Sequence, residues 1–77
     1  MQKITVKFIG MDALDRAVFI SVAGQSFYKS EELMPHPDFI NLSAEEKEIL
    51  LSSLYTTDEP DGEPDWPVAR ENFILVE

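Results

Sequence analysis

"AVFISVAGQSFYK", residues 17–29, decides the fold of this chain. Its first seven residues are apolar or β-branched except for Ser21, a composition that predicts a strand covered on both faces. Gly24 and Gln25 supply a tight turn, because glycine accepts the positive φ that hairpin turns require. "SFYK" at 26–29 then returns as the next strand. Upstream, "KITVKFI" at 3–9 alternates: Ile4, Val6 and Phe8 point one way and Lys3, Thr5 and Lys7 the other. Period two with β-branched residues reads as a strand with one buried and one wet face. Gly10 ends it, and "MDALDR" at 11–16 forms a connecting loop or a single helical turn.

Downstream the pattern changes. In "SEELMPHPDFINL" (30–42), Pro35 and Pro37 bracket His36 and forbid a continuous helix, leaving room for a short turn over 31–34. "SAEEKEILLSSLY" (43–55) has a strong helix start: Ser43 fits the N-cap and Glu46 the third helical position, a capping box. On a helical wheel Ala44, Leu50, Leu51, Leu54 and Tyr55 share one arc, while Ile49 falls on the other side. "ENFILVE" (71–77) closes the chain as a strand beside the first. The expectation is one α+β domain over residues 1–77: a small antiparallel sheet of three or four strands with one main helix packed on one face.

Composition bounds the function. A chain of 77 residues buries only about 60–65% of its unfolded surface, so its few apolar residues are needed for a core rather than a deep cleft. Cysteine is absent, which excludes a disulfide framework and thiolate metal sites. Small secreted domains usually need such staples, so a cytoplasmic location is expected. No apolar run reaches the roughly 18–20 residues of a membrane span, and "MQKITVKFIG" alternates where a signal peptide is continuously apolar.

The net charge is −9, which opposes direct contact with nucleic acid or anionic membranes. Its distribution is uneven. Residues 1–30 carry Asp12 and Asp15 against Lys3, Lys7, Arg16 and Lys29, a net of +2. Residues 31–65 carry eleven acids against Lys47 alone, a net of −10. Within them, "TTDEPDGEPDWPV" (56–68) sets Asp58, Glu59, Asp61, Glu63 and Asp65 directly before Trp66, the sole tryptophan.

Three readings compete for this acidic loop. Clustered carboxylates suit calcium, but an EF-hand loop needs ligands at alternate positions, glycine at the sixth and glutamate at the twelfth. Asp58, Asp61 and Asp65 lie three and four apart, so the spacing fails. The second reading is turn chemistry: Pro60-Asp61-Gly62 is a turn signal in which Gly62 takes the left-handed conformation, and Trp66 folds back onto the core. It does not explain five acids without a neighbouring cation, since like charges repel. The third reading is recognition. Five charges on an extended loop stand about 5–6 Å apart, sparser than the charge of duplex DNA and closer to a single-strand phosphate track. A basic groove would be attracted with fast, salt-sensitive association, and Trp66 would serve as its apolar anchor.

Catalytic signals are weak. His36 is the sole histidine, no serine sits in a G-x-S-x-G, and three glycines form no phosphate loop. The aromatics Phe19, Phe27 and Tyr28 fit a core better than a base-stacking platform beside so much negative charge. No catalytic residue, metal or cofactor is assigned.

"FIGMDALDRAVF", "GQSFYK" and "DGEPDWPV" together resemble a group of small proteins and domains from bacterial mobile elements and phages. The matching positions are Asp12, Asp15, Arg16, Val18, Phe19, Gly24, Tyr28, Lys29, Gly62, Glu63, Pro64, Asp65 and Pro67, across about half the chain. Leu14 and Ala17 stand where the group has an aromatic and a proline, and the 43–55 segment does not align. The resemblance implies one domain of mobile-element origin and no particular chemistry. By analogy, the chain is similar to the small acidic anti-restriction and anti-CRISPR proteins in size and charge.

The expectation is thus a non-enzymatic, cytoplasmic protein-binding module. It would inhibit a host nucleic-acid-handling protein by occupying its basic groove, in the manner of a nucleic-acid mimic. Asp58, Glu59, Asp61, Glu63 and Asp65 would supply charge and Trp66 the anchor. The alternatives are an accessory domain whose acidity serves only solubility, with its contact at a sheet edge or Ile49, and a calcium-stabilised domain.

Overall fold

A computed structural model describes residues 3–24, 26–35 and 37–76. Five strands, β1 (Ile4–Met11), β2 (Arg16–Ser21), β3 (Phe27–Leu33), β4 (Leu54–Thr57) and β5 (Phe73–Val76), form one sheet in the order β4-β3-β2-β1-β5. The helix α1 (Ala44–Leu51) lies between β3 and β4 in the chain. The α+β class is as expected. The sheet is larger than three or four strands and is mixed, because β5 runs parallel to β1 while the other pairs are antiparallel.

The central hairpin stands, but its bounds shift: β2 ends at Ser21 rather than Ala23, β3 runs on to Leu33, and Gly24 does not adopt the positive φ expected of it. Phe19 faces Tyr28 and Val18 faces Lys29. Ala17, Val18 and Phe19 are all buried, so β2 is covered on both faces as its continuous apolar run requires. The turn is held by Ser21, whose backbone N–H donates to Ser26 O at 2.8 Å and whose hydroxyl accepts from the Ser26 N–H. Gln25 lies outside the described residues, as do His36 and Glu77. β3 runs on to Leu33, so no separate turn forms over 31–34. Gly10 does not end β1. The register with β2 shifts between Phe8 and Gly10, a bulge in which Gly10 adopts φ 150°.

The helix is shorter than the sequence pattern predicts. Its start is as read: Ser43 and Glu46 exchange both capping-box hydrogen bonds. Its end comes at Leu51, where the Ser52 hydroxyl bonds back to Glu48 O at 2.8 Å and the Ser53 hydroxyl to Leu50 O at 3.1 Å. Leu54 and Tyr55 therefore belong to β4, whose "LYTT" is rich in strand-favouring residues.

One face of the sheet carries the core. Val6, Phe19, Tyr28 and Phe73 meet Leu50 and Leu51 of α1, with Leu54, Met34, Phe39 and Leu42 closing the layer. Phe39 stacks on Phe8 with ring centroids 4.4 Å apart and meets Phe19 edge to face. The chain from β4 to β5 passes α1, where Arg70 forms a two-pronged pair with Glu48 at 2.5 and 2.8 Å. That pairing holds the Glu48 carboxyl below its ordinary range. The pair is half exposed and contributes at most about 1 kcal/mol.

Candidate functional site

Side chains alternate along β3, so Lys29 points away from the core face that holds Tyr28. A lysine in mid-sheet is costly to bury unless paired. Lys29 is nevertheless 0% exposed. Its ammonium donates to Gly62 O at 2.5 Å and pairs with Asp12 Oδ2 at 3.0 Å. The acidic loop thus lies over the second face of the sheet, with Lys29 bound to its backbone from below.

Asp12 completes the network. Its Oδ1 accepts from the backbone N–H groups of Leu14 and Arg16 at 2.9 and 2.8 Å, and its Oδ2 accepts from Arg16 Nε at 2.7 Å. These bonds shape the β1–β2 turn, where Asp15 takes φ 62°. Burial alone would raise the Asp12 pKa. The Arg16 amide, the Lys29 ammonium, the Arg16 guanidinium and the Leu14 amide outweigh it and hold the carboxyl far below the ordinary aspartate value.

The loop is fixed at both limbs. Thr57 Oγ1 donates to Glu59 O at 3.0 Å, and the Gly62 N–H donates to the same carbonyl at 2.9 Å. Gly62 is not in the left-handed region. Its role is close approach: a Cβ there would lie 2.8 Å from Thr57 Oγ1 and 3.2 Å from Glu59 O. The return limb runs beside β4. Thr56 N–H donates to Trp66 O at 2.8 Å, Asp65 N–H to Thr56 O at 2.7 Å, and Tyr55 bridges Pro67. The backbone is thereby ordered although its segment carries three prolines.

Asp58, Glu59, Asp61, Glu63 and Asp65 are all exposed, and none forms an ion pair among the described residues. Trp66 is 74% exposed, so it does not fold onto the core. The five carboxylates share one short ordered loop, and Trp66 stands on its return limb. Among the described residues no group of three or more carboxylate or imidazole side chains is placed to hold a metal ion.

No protein-family model, curated protein or solved structure matches this chain. The site must be read from its own geometry.

The residues that composition and spacing overlooked are those beneath the loop. In the sequence Lys29 reads as the polar end of a strand, and Asp12 as a loop aspartate. Asp12 and Arg16 in the β1–β2 turn, Lys29 in β3 and Gly62 in the acidic loop meet in one network in the fold. Glu31 is a further case: its carboxylate hydrogen-bonds the Tyr55 hydroxyl and raises the phenol pKa. Among the described residues no helix is long and apolar enough to cross a membrane.

Proposed function

We propose that the chain is a non-enzymatic binding module that occupies the basic, nucleic-acid-binding groove of a protein partner. One observation carries this reading. The cation that reaches the acidic loop, Lys29, is wholly buried and spends its charge on Gly62 O and Asp12, leaving the loop carboxylates turned to solvent beside an exposed tryptophan. A loop needed only as a connection gains from mixed charge. Here the scaffold spends a buried cation to fix the backbone, and repulsion among the exposed carboxylates is left uncompensated. Asp58, Glu59, Asp61, Glu63 and Asp65 attract the partner, and Trp66 is the desolvated anchor. A partner that handles nucleic acid fits best, because its groove already binds a spaced line of negative charge. Inhibition follows from occupancy.

The test is capture from a bacterial lysate at low salt, with DNA added as competitor. The wild-type protein is expected to retain nucleic-acid-binding proteins that DNA displaces. A variant with the five loop acids changed to Asn or Gln should retain at least tenfold less, consistent with the 10–10³-fold effect of electrostatic steering, about 1.4 kcal/mol or more. Equal capture by the variant, or capture indifferent to DNA, would reduce the loop to a solubility device.

A further inference from the structure

Away from the acidic loop, on the face of the sheet that carries α1, the molecule leaves a second surface open. Ile49 of α1 is 52% exposed and Leu33, at the end of β3, is 62% exposed. They line a common cleft of about 220 Å³ with Glu46 and Leu50. A second cleft of about 450 Å³ opens on the other flank of Ile49, between Glu45 and Glu48. Glu32 borders both. A single exposed aliphatic residue is ordinary on a protein surface. Two that share a cleft, with a second cleft on the far side of one of them, are a surface with shape.

Its charge is one-sided. Four carboxylates border the two clefts, and neither lining contains a lysine or arginine. Two of the four are already committed, Glu46 to the helix cap and Glu48 to Arg70. Glu32 and Glu45 have no ion-pair partner among the described residues.

We propose that this surface docks a cationic amphipathic helix of a protein partner. Two apolar side chains one turn apart on such a helix, about 5–6 Å between their Cβ atoms, would straddle Ile49 and enter the two clefts. Lysine or arginine residues beside them would meet Glu32 and Glu45. This is the helix-in-groove mode, with apolar anchors for affinity and flanking charge for orientation. The site is distinct from the acidic loop and does not depend on it.

The probe is a synthetic leucine–lysine peptide of about fourteen residues, patterned as an amphipathic helix and labelled for fluorescence anisotropy. A scrambled isomer of equal charge serves as control. Expected is at least tenfold tighter binding of the amphipathic peptide than of the scrambled one. Ile49→Ser should lower it at least tenfold, and neutralising the five loop acids should leave that difference in place. Equal binding of both peptides, insensitivity to Ile49→Ser, or loss of the difference in the loop variant would overturn the proposal. Concentration-dependent dimerisation that Ile49→Ser abolishes would overturn it too, by assigning the surface to a second copy. Ile49 is exposed, so its replacement leaves the fold intact, and circular dichroism verifies this.

Discussion

Lys29→Ala is expected to cost about 3–5 kcal/mol, the range for breaking a buried ion pair from one side. The loss has three sources. Gly62 O loses its donor, Asp12 loses one of its two cations, and the four-carbon stem leaves a void beneath the loop. A domain of this length has a total stability of roughly 4–12 kcal/mol, so the variant should melt at least about 12 °C lower. Lys29→Met separates the sources, since it keeps most of the stem and removes the charge. It should lose less than the alanine variant and still be clearly weaker than wild type. Thermal unfolding followed by circular dichroism gives both values. A Lys29→Met as stable as wild type would show that the ammonium contributes nothing beyond its stem.

Asp12→Asn is the second large effect. It leaves the Lys29 ammonium buried without its counter-ion and weakens the Arg16 contact, at an expected cost of about 3 kcal/mol at pH 7. The amide oxygen can still accept from the Leu14 and Arg16 N–H groups, so the turn itself survives. The pH dependence follows from the sign of the shift. The folded carboxyl titrates far below its ordinary value of 3.8. Its contribution is therefore complete above that value and declines as pH falls from it toward the folded pKa. Acid also relieves the repulsion within a chain of net charge −9, which acts in the opposite direction. The informative quantity is the difference between wild type and Asp12→Asn. It should be constant between pH 5 and 7 and narrow steadily below about pH 4. A difference that does not change with pH would place the cost in packing rather than charge. Because Lys29 and Asp12 touch, the double variant Lys29→Met/Asp12→Asn should lose less than the two single losses combined.

The parts of the fold legible in the sequence are those whose signal is local. Alternation placed β1, the apolar run placed β2, and the capping box placed the start of α1. Misreadings arose where tertiary contacts override local pattern. Leu54 and Tyr55 continue the helical spacing of Leu50 and Leu51, yet they pair with Ser30 and Lys29 of β3. Gly10 looked like a terminator, but a bulge carries the strand past it. Gly62 reads as a left-handed turn residue and is instead a point of close approach between the loop and Thr57. The acidic loop was visible as charge, whereas its anchor was not. Nothing local marks Lys29 as buried, because its partners lie 17 and 33 residues away. The exposure of Trp66 was likewise undetermined by composition, since a lone tryptophan more often fills a core.

Recognition through the acidic loop requires the carboxylates and Trp66 to be displayed together at the surface. Quenching of the single tryptophan tests this directly, using acrylamide, caesium and iodide at low ionic strength, each referenced to N-acetyltryptophanamide. An exposed Trp66 should show red-shifted emission and strong acrylamide quenching. The local negative potential should concentrate caesium and exclude iodide, so relative quenching by caesium exceeds that by iodide several-fold. Added salt should close the gap, because screening shortens the reach of exposed charges to about 10 Å at 0.1 M. Neutralising Asp58, Glu59, Asp61, Glu63 and Asp65 should remove it. Blue-shifted emission with weak acrylamide quenching, or equal relative quenching by the two ions in the wild-type protein, would contradict the account.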